Sequence, residues 1–377
     1  MQFGHSKNTQ KFTTLSENSV AYYAIRQSLI SRYTMRLRFV LLWLSFISTA
    51  VLATEADMTE RQIPVPIAVS DELKHAITQF GIPTVQQALD STPTDKETWL
   101  ALIHSVNTEQ KKKVKKMRKQ YNVNVEMMNI NGVTVRKIVP ATLSDKFKSK
   151  VYLDVHGGAY VFFAGLPSIE EGILIAHRLG IEVISVDYQM PPHAPSPAAL
   201  NDVFSVYTAL LETHGAHNMF VGGTSAGGGL VLGLMQRLVN ENIATPVAIY
   251  AGTPWADLSK TGDSLYINEG VDRILITYDG VLKAAANLYA NKVALNHSSV
   301  SPLYGNFEGF PPTFLLSGTR DMFLSDTVRV NRKLREVGVP TQLEVFEGIS
   351  HAEYLVAYET PESVAAYAEL GAFFSKW

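Results

Sequence analysis

The sequence predicts an α/β fold, a mostly parallel sheet covered by helices on both faces. Three observations carry that expectation. From about residue 150 onward, short continuous apolar runs of strand length alternate with longer helical ones, the pattern of strands buried on both sides. Inside this alternation, Gly223-x-Ser225-x-Gly227 has the form of a strand passing through a tight turn into a helix, with Ser225 at the turn. Two further reactive side chains, Asp321 and His351, also directly follow predicted strands. In a doubly wound sheet, functional groups collect at those strand ends.

The chain has 377 residues, 46% hydrophobic and 18% charged, with a formal net charge of -2. That length can bury a full core as one large domain plus an appendage. The near-neutral balance gives no electrostatic case for nucleic acid. With no cysteine, disulfides, thiolate metal sites and a thiol nucleophile are excluded. Catalysis must then use oxygen or nitrogen groups.

At the N-terminus, residues 1–34 are polar and lack a hydrophobic period. They read as a disordered leader or as the product of an upstream start codon, because Met35 would itself make a good start. Met35-Arg36-Leu37-Arg38 opens a basic stretch, and an apolar run from Phe39 to Leu52 follows, with small residues at Val51 and Ala53. That is the anatomy of a secretory signal peptide over 35–53, cut before Thr54. The expectation is a secreted or periplasmic protein with no membrane span after processing, the apolar run being shorter than the roughly 20 residues a span needs. An uncleaved N-terminal anchor is the alternative.

Residues 54–121 read as a small helical appendage. Ile77-x-x-Phe80 and Leu100-x-x-Ile103 fall at helix spacing, and Pro64, Pro66, Pro83 and Pro93 punctuate the pattern. Lys111 to Lys119 is densely basic, while Val114, Met117 and Tyr121 share one helical face. Such a helix fits either an anionic surface or the solvated outside of a cap.

Residues 122–377 form the predicted main domain. Asn122 to Ile130 and Val133 to Val139 make a hairpin joined at Asn131-Gly132. A strand ending at Val155 precedes His156-Gly157-Gly158. Helix 168–179, strand 181–186, helix 197–213, strand 218–222, helix 227–240 and strand 246–251 come next. A mixed stretch 255–297 precedes strand 313–317, helix 326–337, strand 341–346 and helix 361–375.

Serine is inert unless a base takes its proton, and the base needs a carboxylate to orient it. His351 is the candidate base. Asp321 is the candidate carboxylate, with Asp326 as rival; Asp326 is better placed as an acidic residue at a helix N-terminus. Attack on an acyl carbon also needs N–H donors for the oxyanion. The glycines at 157 and 158 let backbone approach closely, and the amide of Ala226 follows the nucleophile. His156 reads as a residue that holds the loop. These glycines do not form a phosphate cradle: there is no P-loop lysine and no Gly-x-Gly-x-x-Gly after the first strand. No cofactor or metal site is expected.

Together these residues resemble the hormone-sensitive-lipase-like branch of the α/β-hydrolases, in particular bacterial esterases with a Gly-Thr-Ser-Ala-Gly elbow. The resemblance runs from about Ile63 to Trp377. It includes Asp187-Tyr188-Gln189-Met190-Pro191-Pro192-His193-Ala194-Pro195, Pro254-Trp255-Ala256-Asp257-Leu258 and Ser301-Pro302-Leu303-Tyr304. It implies an eight-stranded sheet, an N-terminal helical cap and cofactor-free hydrolysis of carboxylic esters. The implied triad is Ser225, His351 and Asp321, with Gly157, Gly158 and Ala226 as the oxyanion hole. The implied partner is a small ester, of short acyl chain, or a lactone; a homodimer is open. Ala159 stands where many relatives have a third glycine, and Gln189, His193 and Ala194 also depart from the pattern. An amide- or lactone-preferring hydrolase remains an alternative. So does a non-catalytic ligand-binding protein on the same fold, as in the gibberellin receptors.

Overall fold

A computed structural model describes residues 63–81 and 84–377. The leader, the signal-like segment 35–53, the start of the appendage and Pro83 lie outside the described residues.

Among the described residues, three helices come first: α1 (Asp71–Phe80), α2 (Val85–Asp90) and α3 (Lys96–Gln120). The long one, α3, begins with a capping box in which the Asp95 carboxylate accepts from the Thr98 amide and the Thr98 hydroxyl from the Asp95 amide. Its basic half is amphipathic, as the spacing predicts. Val114 and Met117 are fully buried, and Lys113 turns inward to pair with Glu170 at 2.5 Å.

The sheet has eight strands: β1 (Asn124–Ile130), β2 (Val133–Val139), β3 (Val151–Val155), β4 (Glu182–Val186), β5 (Met219–Thr224), β6 (Ala248–Gly252), β7 (Thr313–Gly318) and β8 (Thr341–Phe346). Their order is β1-β2-β4-β3-β5-β6-β7-β8. The hairpin β1–β2 joins β4 antiparallel, and all other pairs are parallel. Asn131 (φ 50°) and Gly132 (φ 86°) make the hairpin turn in left-handed backbone, the conformation that asparagine and glycine tolerate.

The central strands β3, β5, β6 and β7 are buried along their whole length, which explains their continuous apolar sequences. One face packs on α5 (Ala198–His214), α6 (Ala226–Asn240) and α8 (Leu324–Glu336); the other packs on α4 (Glu170–Ile175) and α9 (Pro361–Phe374). Between β6 and β7 the chain makes a long excursion that includes α7 (Lys283–Ala290). The mixed stretch of the sequence is this excursion.

Behind the sheet centre lies a buried polar cluster. The Glu171 carboxylate accepts from the hydroxyls of Thr224 (2.7 Å), Tyr250 (3.1 Å) and Tyr367 (3.1 Å). Burial pushes its carboxyl up to about 7, against the lowering effect of those hydroxyls.

Candidate active site

Ser225 occupies the turn between β5 and α6 with φ 62° and ψ -123°, a conformation that costs a non-glycine residue on the order of 1–3 kcal/mol. Three bonds hold it there. Its amide donates to the Gly252 carbonyl at 2.8 Å, and its own carbonyl accepts from Gly229 and Trp255, both at 3.0 Å. The glycines beside it are required by contact. A Cβ on Gly223 or Gly227 would lie 2.0 or 1.9 Å from the Val155 carbonyl oxygen.

His351 reaches the site from the loop after β8, and Asp321 from the loop after β7. The Ser225 hydroxyl lies 2.9 Å from His351 Nε2, and His351 Nδ1 lies 3.1 Å from Asp321 Oδ1. All three side chains are buried. The carboxylate of Asp321 is saturated with donors: Thr253 and Ser317 hydroxyls on Oδ2, the latter at 2.7 Å, and the Phe323 amide on Oδ1 at 2.7 Å. Thr253 Oγ1 also sits 3.0 Å from His351 Nδ1. The sequence reading did not find Thr253 or Ser317. Neither belongs to a local motif, although each lies at the carboxyl end of a strand, where such partners are to be sought.

The rival carboxylate is elsewhere. Asp326 lies in the first turn of α8, as the sequence predicts, but it is not a helix cap. Its Oδ2 accepts from the amides of Ala256 (3.0 Å) and Asp257 (2.8 Å), so it anchors the segment after β6. Burial, and then Asp257, hold its carboxyl well above the usual range. The predicted place at the helix start therefore stands, while the side chain bonds another loop and caps nothing.

The glycine pair after β3 abuts the nucleophile. A Cβ on Gly157 would come within 3.4 Å of Ser225 Cβ, and Gly158 has φ +103°. Among the described residues, the amides of Gly157, Gly158 and Ala226 have no internal acceptor. His156 supports this loop. It stacks on Tyr188 at 4.0 Å, its Nδ1 lies 2.7 Å from the Gly157 carbonyl, and burial lowers its imidazole to about 4, leaving it neutral. The Tyr188 hydroxyl donates to the His156 carbonyl at 2.7 Å, giving the Asp187-Tyr188 motif a direct contact with this loop.

The N-terminal helices reach the same loop. Asn107 of α3 accepts the Phe163 amide at 2.7 Å, and Phe163 has φ 77°. Trp99 packs with Val161, Phe162 and Ala285 in an apolar cluster over the loop. A cavity of about 350 Å³ lies elsewhere, lined by Leu200, Gln236, Arg237 and Val300 among others, and touches none of Ser225, Asp321 and His351. Among the described residues, no group of three or more histidine or acidic side chains is arranged to hold a metal ion.

This arrangement suits nucleophilic acyl transfer. A serine oxygen lies within hydrogen-bond reach of an imidazole, a carboxylate faces the other nitrogen of that ring, and the amides of Gly157, Gly158 and Ala226 meet no acceptor. Comparisons agree. Residues 152–355 match a family described as having the alpha/beta hydrolase fold. An esterase of Acinetobacter venetianus is 26% identical over 252 residues, which is 66% of this chain and 80% of that protein. An acetyl-hydrolase of Streptomyces hygroscopicus is 27% identical, over 66% of this chain and 81% of its own length. Among solved structures, an esterase with 43% identity superposes with a TM-score of 0.82, covering 84% of this chain and 97% of that one. An esterase from the bacterial hormone-sensitive lipase family, 26% identical, superposes at 0.71 over 82% and 99%.

Proposed function

Because the chain belongs to the alpha/beta hydrolase family, in its hormone-sensitive-lipase-like branch, we propose that it is a carboxylesterase acting through Ser225, His351 and Asp321. The observation that carries this reading is the continuous chain of contacts from Ser225 Oγ to His351 Nε2 and from His351 Nδ1 to Asp321, together with three amides that meet no internal acceptor. Ser225 attacks the ester carbonyl while His351 takes its proton. The amides of Gly157, Gly158 and Ala226 meet the charge on the former carbonyl oxygen. The imidazolium, held by Asp321, gives the proton to the departing alcohol and leaves an acyl-serine. Water, deprotonated by His351, then releases the acid and restores the hydroxyl.

Short acyl esters are the proposed substrates. Two features support this: the acetyl-hydrolase relative, and the packing of Trp99, Val161 and Phe162 over the glycine loop. Lactones use the same machinery. A retired, ligand-binding version of the fold is not favoured, since Ser225, His351, Asp321 and both loop glycines are all present and mutually placed. The test is a panel of aryl esters of graded chain length, with lactones and anilides, on purified protein. Turnover is expected to fall steeply beyond medium chains. Equal turnover of acetyl and palmitoyl esters at matched solubility refutes the short-chain reading, and activity surviving in Ser225→Ala refutes the mechanism.

A further inference from the structure

The excursion between β6 and β7 returns to the site over residues 268–275 and grips both loops that carry the His–Asp pair. Asn268 Nδ2 donates to the carbonyls of Thr319 (3.3 Å) and Asp321 (2.9 Å). The amide of Arg273 donates to Ser350 Oγ at 3.3 Å, and its guanidinium pairs with Glu353, whose carboxylate also accepts the Ser350 amide at 2.7 Å.

Between them sits Asp272, fully buried, with four backbone donors on its carboxylate. Oδ1 faces its own turn and accepts from Ile274 (2.9 Å) and Leu275 (3.1 Å). Oδ2 bridges the two loops: it accepts from the amide of Met322, directly after Asp321, at 2.9 Å and from the amide of His351 itself at 3.3 Å. The loops also touch directly at Arg320 N–H to the Ile349 carbonyl, 3.1 Å, but that bond lies on the strand side of both reactive residues. At the reactive residues Asp272 joins the two backbones, whereas Thr253 touches only the side chains.

We propose that Asp272 is a positioning residue whose carboxylate sets the spacing of Asp321 and His351, so that hydrolysis requires it to be ionised. This rests on the Ser225–His351–Asp321 reading above. The reason is acceptor geometry. With two N–H groups on each oxygen, neither oxygen can take a proton without turning an O–H toward a donor and expelling it. Protonation therefore loosens either the inter-loop bridge or the turn that presents it.

The charged groups around Asp272 are Asp321 from the β7 loop, His351 from the β8 loop, and Arg273 beside it, itself paired with Glu353; Arg320 lies next to Arg273. Burial first, then the Asp321 charge, raise the Asp272 carboxyl to about 6, while His351 and the Met322 and Leu275 amides lower it. Its proton is thus taken up near pH 6, in addition to the proton that removes the histidine base. Two coupled protonations then inactivate the enzyme on the acid side.

The experiment measures kcat and KM for p-nitrophenyl acetate against pH in the wild type, Asp272→Asn and Ser225→Ala, with thermal unfolding at each pH. In the wild type, log kcat/KM is expected to fall with a slope approaching 2 below about pH 6 while the protein stays folded. In Asp272→Asn one amide oxygen replaces two acceptors. Its kcat should drop about 10- to 100-fold, the scale of a small misplacement of reacting groups, with KM within about twofold and an acid-limb slope of 1. If the variant does not fold, the wild-type slope decides: a limb of slope 1 overturns the proposal. Wild-type kcat in a folded Asp272→Asn, a change confined to KM, or a limb still of slope 2 in that variant also overturns it. Activity in Ser225→Ala would instead defeat the underlying mechanism.

Discussion

Replacing Asp321 by asparagine is the perturbation that separates the two carboxylates the sequence offers. The four donors on Asp321 are the Thr253 and Ser317 hydroxyls on one oxygen and the Phe323 amide and His351 Nδ1 on the other. Asparagine keeps one acceptor and puts an NH₂ group in the other position. If the NH₂ faces His351, the imidazole must present a bare Nδ1 and carry its proton on Nε2, so Ser225 has no base. If it faces Thr253, that hydroxyl and Ser317 must turn away, and the imidazolium still loses its counter-charge. The expected loss in kcat is on the order of 10⁴, about 5.4 kcal/mol of barrier, while each stranded donor costs about 1–3 kcal/mol of stability. Asp326→Asn is expected to leave kcat within about threefold, since an amide oxygen can still accept from Ala256 and Asp257. Asp321→Asn added to Ser225→Ala should reduce activity no further than Ser225→Ala alone, because members of one catalytic unit are non-additive. The assay is kcat for p-nitrophenyl acetate, with thermal unfolding to show that each variant is folded. A crippled Asp326→Asn beside an active Asp321→Asn would refute the assignment.

Two further outcomes are expected. Glu171 is raised from 4.5 to about 7 by burial, so its protonated form stabilises the native state fully below about pH 4.5, and that contribution is lost as pH rises through 7, at a cost of about 3 kcal/mol. Glu171→Gln should therefore unfold about 5 °C higher than wild type at pH 9 and equally at pH 4; a difference independent of pH would defeat this. At the other end of the chain, we propose export with cleavage before Thr54, which intact mass of the exported protein checks; a product retaining residues 39–52 would mean anchoring instead.

Much of the fold was legible because parallel strands buried on both faces leave continuous apolar runs, and β2 and β8 begin and end at the predicted residues. Ser225, His351 and Asp321 were legible because their chemistry dictates position, each just beyond a strand. What supports them was not. Thr253, Asn268, Asp272 and Asn107 meet the site across long separations in sequence, and no local pattern marks a polar side chain whose partner is distant along the chain. Asp326 was read as a helix-end charge because its position on α8 is visible in sequence while the direction of its side chain is not. Glu171 went unnoticed for a related reason: an acidic residue in a helix reads as solvated until the hydroxyls that receive it are known.

The bond from Asn107 to the Phe163 amide has a consequence for recombining this protein with its relatives. Residues 152–355 carry the family match, yet the glycine loop after β3 is fastened at Phe163 from residue 107, outside that segment. A chimera joined at residue 152 would import all three acid–base side chains and leave behind the fastening of the loop they depend on. Crossovers should be placed ahead of Lys96, so that helix and loop are inherited together.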